Sequence, residues 1–367
     1  MICFDNIYSG RRILVTGHTG FKGSWLSLWL KYLGADVAGF SVDIPTMPSN
    51  FKLLNLEEHV RHYIGDIRDK SRLAEVLDEF KPDVVFHLAA QALVRRSYSD
   101  PAYTFEVNTM GMVNLLECVK ERPWIKAAVL ITSDKAYRNV EWCWGYRETD
   151  ALGGKDPYSS SKSCADLVAQ SYFDSFMCNT STRVAITRAG NVIGGGDWAE
   201  DRIVPDCIRA WALGVAVAVR SPQATRPWQH VLEPLSGYLL LGARLLQDAG
   251  QLNGESFNFG PDANVNQTVA ELLDIMALRW SGVKWIIPQG FEGVGHEAKL
   301  LKLSCDKALH YLKWQAVMNF TETVELTVDW YRIWHEGRQN MYTYSINQIH
   351  QYCTLARTRG AVWSSND

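Results

Sequence analysis

The segment Thr16–Gly23, TGHTGFKG, lies between a short β-branched run, Arg12–Thr16, and a stretch with apolar residues at helical spacing, Ser24–Leu33. Strand, glycine turn and helix in that order constrain everything around them. Gly17, Gly20 and Gly23 fall at G-x-x-G-x-x-G spacing. Without Cβ atoms at those positions, main-chain N–H groups and the helix N-terminus come close enough to meet phosphate, so the turn predicts a dinucleotide pyrophosphate site. A tight turn needs glycine for steric reasons alone; the strand before and the helix after favour the ligand. His18 and Lys22 place large polar side chains beside the glycines. They are expected to crowd or re-hydrogen-bond the pyrophosphate and weaken cofactor binding.

The alternation that begins there continues. Val37–Val42 predicts a strand, Ser71–Phe80 a helix, Val84–Leu88 a buried strand, Asn108–Lys120 a helix, Lys126–Ile131 a strand, Lys162–Phe176 a helix and Thr182–Thr187 the next strand. Such a rhythm predicts an α/β fold with a doubly wound parallel Rossmann sheet. After Arg188 it breaks: glycines cluster at 194 to 196, prolines stand at 205, 222, 227 and 234, and the helices expected at Asp206–Leu213, Val269–Trp280 and Thr321–Trp334 no longer alternate with strands. The expected division is residues 1–187 for the dinucleotide and a smaller, mostly helical substrate part over 188–367, with segments near 226–260 crossing back to the first. The tail from about Gln339 has no assignable pattern.

A formal charge of -3 over 367 residues argues against nucleic acid or an anionic membrane as partner. The N-terminal segment has no apolar signal-peptide core, and the run Ala210–Val219 is too short to span a bilayer, so the expected location is the cytoplasm. Eight cysteines without a C-x-x-C pair predict reduced thiols and no metal site. Trp25 with Trp29, and Trp330 with Trp334, have the spacing of helix core positions; Trp142 and Trp144 stand in a loop where a site or subunit role is open.

NAD rather than NADP calls for an acidic residue about 20 positions beyond the loop. Asp43 has that distance, while Ser41 holds the better strand-end position; no arginine lies between the loop and Asp43 to meet a 2′-phosphate. NAD is therefore expected. Asp66 and Ile67, in GDIRD, fall where the third strand should end, and the Asp66 carboxylate either accepts from the adenine amine or caps the next helix.

At 158–162 the sequence YSSSK places Tyr158 and Lys162 one helical turn apart, downstream of TSDKAY at 132–137. A phenol acting as base needs a nearby cation, which Lys162 would supply. With HLAAQ (87–91), EVNTMG (106–111), RAGNVIGGGDW (188–198), RPWQHV (226–231) and NFG (258–260), this constellation resembles the extended short-chain dehydrogenase/reductase family. Within that family it is most similar to the branch that dehydrates CDP-glucose. The resemblance implies bound NAD, a CDP-glucose substrate, and a homodimer or homotetramer built through the helices at Asn108–Lys120 and Lys162–Phe176. It also implies that Phe21, Leu88, Ala89 and Ala90 line the cofactor, and that Gln91, Asn191, Arg202, Arg226 and His296 face the substrate. For Arg202 a surface salt bridge is the simpler reading. Ser133 would hold the C4 oxygen, Asp134 would protonate the departing C6 hydroxyl, and Lys135 would occupy the place of the C5 base or else pair with Asp134. A 4-epimerase or ketoreductase would keep Tyr158 and Lys162 but need no such acid and base. A non-catalytic NAD sensor would need none of these side chains.

Overall fold

A computed structural model describes residues 3–219, 221–247, 250–262, 265–280, 283–287 and 300–364. Seven strands, β1 (Arg12–Thr16), β2 (Asp36–Ser41), β3 (Arg61–Ile64), β4 (Val84–His87), β5 (Ala127–Ile131), β6 (Arg183–Ala189) and β7 (Ser256–Phe259), form one sheet in the order β7-β6-β5-β4-β1-β2-β3. Every neighbouring pair is parallel. The central strands are buried almost end to end, as a sheet covered on both faces requires. Strand order reverses between β1 and β4, and the crevice at such a reversal is where a doubly wound sheet binds ligand.

Period-two alternation sends neighbouring residues to opposite faces. Leu14, Val85, Ala128 and Leu130 pack under α2 (Lys70–Phe80), α3 (Gly111–Lys120) and α4 (Pro157–Tyr172). Ile13, Val15, Phe86 and Val129 pack on the other side with α1 (Phe21–Tyr32) and, further along the chain, α6 (Leu232–Leu246). The chain after Arg188 thus returns to the sheet with both a covering helix and the edge strand β7. After Arg188 the chain also forms α5 (Ile203–Ala212), α7 (Val269–Arg279), α8 (Phe320–Glu336) and α9 (Met341–Thr358), a short helix over Asp306–Leu312, and three short strand pairs.

Two local differences from the sequence expectations matter for the site. Helix α1 begins at Phe21 rather than Ser24, which puts Lys22 in its first turn. Helix α4 begins at Pro157, with Asp156 accepting from the Ser159 amide as N-cap, so Tyr158 also lies in a first turn. The unassigned tail is the helix α9. Its buried face mixes Met341, Ile349 and Cys353 with Ser345, Gln348 and Tyr352. Hydrogen bonds from Trp330 to Ser345 (2.8 Å) and from Gln348 to the Leu326 carbonyl (2.8 Å) replace part of the missing apolar stripe.

Glu233 fastens this tail to the sheet. Its buried carboxylate, on the first turn of α6, accepts from the amides of Val317 (3.0 Å) and Met318 (2.6 Å) and from the Tyr352 hydroxyl of α9 (2.8 Å). Burial pushes its carboxyl up to about 7 despite those donors. The folded protein therefore holds a proton that the unfolded chain has released, and stability falls as pH rises from the ordinary glutamate range to about 7, then levels. Urea unfolding from about pH 5 to about pH 7 should show Glu233→Gln losing about 2 kcal/mol less stability than the wild type over that span; parallel curves would exclude Glu233 as the source.

Candidate active site

The glycine turn is built around the reversal point. Gly17 has φ +74°, and a Cβ there would lie 2.7 Å from the Ala89 nitrogen; one at Gly23 would lie 2.1 Å from the Gly17 carbonyl oxygen. Gly20 meets no such obstacle but caps α1 without a side chain, leaving the amides of the first turn for an anion. These features fit a dinucleotide pyrophosphate. Thr16 ties the turn to the end of β4, with its hydroxyl accepting from the Ala89 amide (3.2 Å) and meeting His87 Nδ1 at 2.8 Å. Leu88 and Ala89 thus border the same crevice as the turn, and Ala90 follows them in the chain.

His18 does not crowd that crevice. Its ring is fully buried, turned under the turn against Gly39, where a Cβ would come within 2.0 Å of it. It meets Ser41 Oγ at 2.8 Å and His62 Nδ1 at 2.7 Å, and burial together with His62 holds it down to about 3, so it is neutral. The reason is steric: a glycine in β2 opens a slot that only an inward ring fills. Lys22 also departs from expectation. Burial holds its amine down to about 8, with Arg202, Lys162 and Lys135 acting in the same direction and Asp134 against them. Its charge thus belongs with the catalytic groups.

Asp43 is exposed, and its main-chain carbonyl accepts from Thr19 Oγ1 (2.6 Å). Asp66 accepts from the Arg68 amide at 2.9 Å and from the Arg68 guanidinium at 2.8 and 3.0 Å. It does not cap α2; Asp69 does, accepting from the Arg72 amide. Ile67 packs on Gly111. Gln91 locks the turn after β4: its Nε2 donates to the Leu93 carbonyl (3.0 Å) and the Thr104 hydroxyl (3.0 Å), and its Oε1 accepts from the Leu93 amide (2.6 Å) with one lone pair to spare.

The end of β5 and the start of α4 bring the catalytic candidates together. Ser133 donates to Asp134 at 3.0 Å and lies within hydrogen-bond reach of Tyr158; Lys135 Nζ is 3.8 Å from Asp134 Oδ1. Asp134 is almost wholly buried and Lys135 only partly. Burial raises the Tyr158 phenol above its ordinary value, opposed first by Lys135, then by the Ser133 hydrogen bond, and by Arg202 after the contrary effect of Asp134. The leading cation at the phenol is therefore Lys135 rather than Lys162. Burial holds Lys162 down to about 8, against the pull of Asp166 one turn further along α4.

Arg202 pairs with Asp197 at 2.7 Å and acts on both Tyr158 and Lys22, so it belongs to this cluster and is more than a surface bridge. Asn191 follows β6, and its carbonyl accepts from the Gln229 amide. Arg226 lies in the two-residue strand paired with Gln267–Thr268. His296 lies outside the described residues. Trp142 stacks on Tyr146 (5.1 Å between centroids), which stacks on Tyr137 (5.3 Å), so Trp142 has a packing role. Among the described residues no group of three or more His, Cys, Asp or Glu side chains is arranged to hold a metal.

Sequence reasoning missed the pair that holds the cluster in place. Arg188 Nε and Nη2 meet Asp166 at 2.8 and 2.6 Å, both side chains fully buried, and Asp166 also accepts from Thr132 Oγ1 at 2.9 Å. Asp166 stands four residues after Lys162 and eight after Tyr158 on α4, and that helical spacing was a usable signal. Removing one partner strands a buried charge at a cost of ~3–5 kcal/mol. Asp166→Ala should lower the unfolding free energy by about 3 kcal/mol, and Arg188→Met added to it should restore part; a loss below about 1 kcal/mol would mean that the pair does not hold the helix.

Comparison with known proteins agrees with this geometry. Residues 14–327 match the family model described as GDP-mannose 4,6 dehydratase. The chain is 47% identical over 360 residues to a CDP-glucose 4,6-dehydratase of Salmonella typhimurium, covering 96% of this chain and 99% of that one. It is 26% identical to a dTDP-glucose 4,6-dehydratase of Haemophilus influenzae, covering 87% of this chain and 97% of that one. Among solved structures, the dTDP-glucose 4,6-dehydratase of Streptomyces venezuelae with NAD and TYD bound matches with a TM-score of 0.72 at 25% identity, over 90% of this chain and 99% of that one. A UDP-glucose 4-epimerase of Stenotrophomonas maltophila shares the fold with a TM-score of 0.75 at 23% identity, over 89% of this chain and 99% of that one. The chain belongs to the GDP-mannose 4,6-dehydratase family, within the extended short-chain dehydrogenases/reductases.

Proposed function

We propose that this chain is an NAD-dependent CDP-glucose 4,6-dehydratase, converting CDP-D-glucose to CDP-4-keto-6-deoxy-D-glucose and water. The observation that carries the reading is the joining of Ser133, Asp134 and Lys135 with Tyr158 in one cluster, in a chain 47% identical to a CDP-glucose 4,6-dehydratase. A 4-epimerase or ketoreductase has no use for the additional acid and base. We assign the cofactor to the crevice at the sheet's reversal point and the nucleotide sugar to the part after Arg188, with Arg202, Arg226 and Asn191 toward its diphosphate.

When bound, NAD supplies the oxidation, accepting hydride from C4 and returning it to C6. Tyr158 Oη takes the C4 hydroxyl proton, and Ser133 Oγ holds that oxygen. The C4 ketone acidifies C5; Lys135 Nζ removes the C5 proton as the C6 hydroxyl leaves with a proton from the Asp134 carboxyl. Elimination leaves Lys135 charged and Asp134 ionised, and the two side chains stand 3.8 Å apart. When C6 receives its hydride, Lys135 gives its proton back to C5, and the proton that Tyr158 took from the C4 hydroxyl replaces the one Asp134 lost to water, so all three groups are reset.

No described helix is long and apolar enough to cross a membrane, and all eight cysteines are free, which supports a cytoplasmic enzyme. Met110, Leu167 and Phe176 are each at least half exposed on the helical segments around α3 and α4, which supports a homodimer through those helices, or a tetramer containing it.

Purified protein given CDP-glucose should form a product with the alkali-induced absorbance of a 4-keto sugar, and do so better than with GDP- or dTDP-glucose. A CDP-galactose signal without keto product would refute the assignment. In deuterated water, Lys135→Met should incorporate deuterium at C5 at least about 100-fold more slowly while still reducing NAD; unimpaired incorporation would remove Lys135 as the base.

A further inference from the structure

The two oxygens of the Asp134 carboxyl have different surroundings. Oδ1 accepts from Ser133 Oγ at 3.0 Å and stands 3.8 Å from Lys135 Nζ. Oδ2 accepts no hydrogen bond among the described residues, although the side chain is almost wholly buried. A donor and an ammonium both favour negative charge on Oδ1, so the proton of the neutral acid belongs on Oδ2. The residue that faces Oδ2 is Gly190, just past the end of β6. Strands β5 and β6 run parallel with Ile131 opposite Thr187, and the chain beyond their ends brings Asp134 and Gly190 side by side.

A Cβ on Gly190 would lie 3.1 Å from Oδ2, 3.6 Å from Cγ and 4.0 Å from Cβ of Asp134, and, its chain neighbours apart, it would meet nothing nearer among the described residues. The backbone does not ask for glycine here, since φ lies outside the left-handed region. Gly190 is half-buried, while Arg188 and Ala189 before it are buried. Its missing side chain thus leaves a methyl-sized space at hydrogen-bond distance from the acid's free oxygen. We propose that this space seats the departing C6 oxygen, and that Gly190, by having no side chain, lets that oxygen reach Asp134 Oδ2 and take its proton. Gly190 is a positioning residue that acts through Asp134. In the step, Lys135 takes the C5 proton, the C5–H electrons form the C5–C6 double bond, and the C6–O bond breaks with its pair on oxygen. The Oδ2 proton completes water and leaves Asp134 ionised.

The inference rests on the dehydratase reading, and two substrates separate the two. CDP-6-deoxyglucose has no C6 oxygen; with NAD it can only give up hydride from C4 and the C4 hydroxyl proton, a half-reaction read as NADH absorbance that needs neither the seat nor the acid. Gly190→Ala should lose about 100-fold in kcat on CDP-glucose, the cost of misplacing a reacting group by about 1 Å. The same variant should reduce NAD with the 6-deoxy sugar as fast as the wild type and melt no lower. Gly190→Ser fills the space further and should lose at least as much on CDP-glucose. Asp134→Asn should show the same split, and Gly190→Ala added to it should cost nothing more, because the seat has no use once the acid's proton is gone. Equal losses on both substrates would make Gly190 a structural or binding residue and overturn the seat. So would an undiminished kcat on CDP-glucose, or fully additive losses in the double variant. Wild-type protein that makes no keto product from CDP-glucose would overturn the dehydratase reading itself and the seat with it.

Discussion

Everything catalytic in this molecule is referred to the buried ion pair between Arg188 on β6 and Asp166 on α4. Taking two charges out of water costs several kcal/mol per ion, so the pair persists only because nearly every donor and acceptor on it is matched. Arg188 also donates to the Tyr137 hydroxyl (2.7 Å) and the Glu148 carbonyl (3.0 Å), and Tyr137 in turn donates to Asn258 at the sheet's edge (2.8 Å). Asp166 takes the Thr132 hydroxyl, one residue before Ser133. A single charge pair thereby sets the helix that carries Tyr158 and Lys162 at a fixed height and rotation relative to the strand end that carries Ser133, Asp134 and Lys135. Acid–base chemistry across such a cluster depends on hydrogen-bond distances, which a helix free to slide could not hold.

The charge placed around that frame explains what Lys22 does better than its position in a glycine motif does. Lys22, Lys135, Lys162 and Arg202 all act on the same small region, with Asp134 and Asp197 as the acidic counterweights. An excess of cations there suits a diphosphate-bearing substrate. The same excess would act against a positively charged nicotinamide ring.

Periodicity made the sheet legible: β1, β4 and β5 are short runs of apolar residues with helices of ordinary length between them, and the glycine spacing located the turn at its reversal. The Y-x-x-x-K pair was legible because both residues sit on one helix. What could not be read were partners distant in the chain. His18 looked like a polar intrusion because Gly39, which makes room for it, and His62, which binds it, lie in other strands. The turn that Gln91 braces was hidden as well, because its partners Leu93 and Thr104 meet it only once the turn is folded. Helix α9 hid because its buried face is half polar, satisfied by Glu233, Trp330 and Leu326 from elsewhere.

The glycines at 194 to 196, which mark the break in rhythm along the chain, are a packing device. A Cβ at Gly195 would lie 2.0 Å from the Trp330 ring of α8, one at Gly194 would lie 2.8 Å from Val231 and 3.2 Å from Phe21, and one at Gly196, which has φ +83°, would meet Asn50 at 2.4 Å. The Gly195 carbonyl also accepts from Trp25 Nε1 of α1 at 2.8 Å. The segment that follows β6 is thus pressed directly onto the helix that opens from the glycine turn and carries Lys22. Close-packed interiors transmit displacement instead of absorbing it. A shift of the Gly194–Gly196 segment against the sheet must therefore move α1 or open a void beside Trp25 and Trp330.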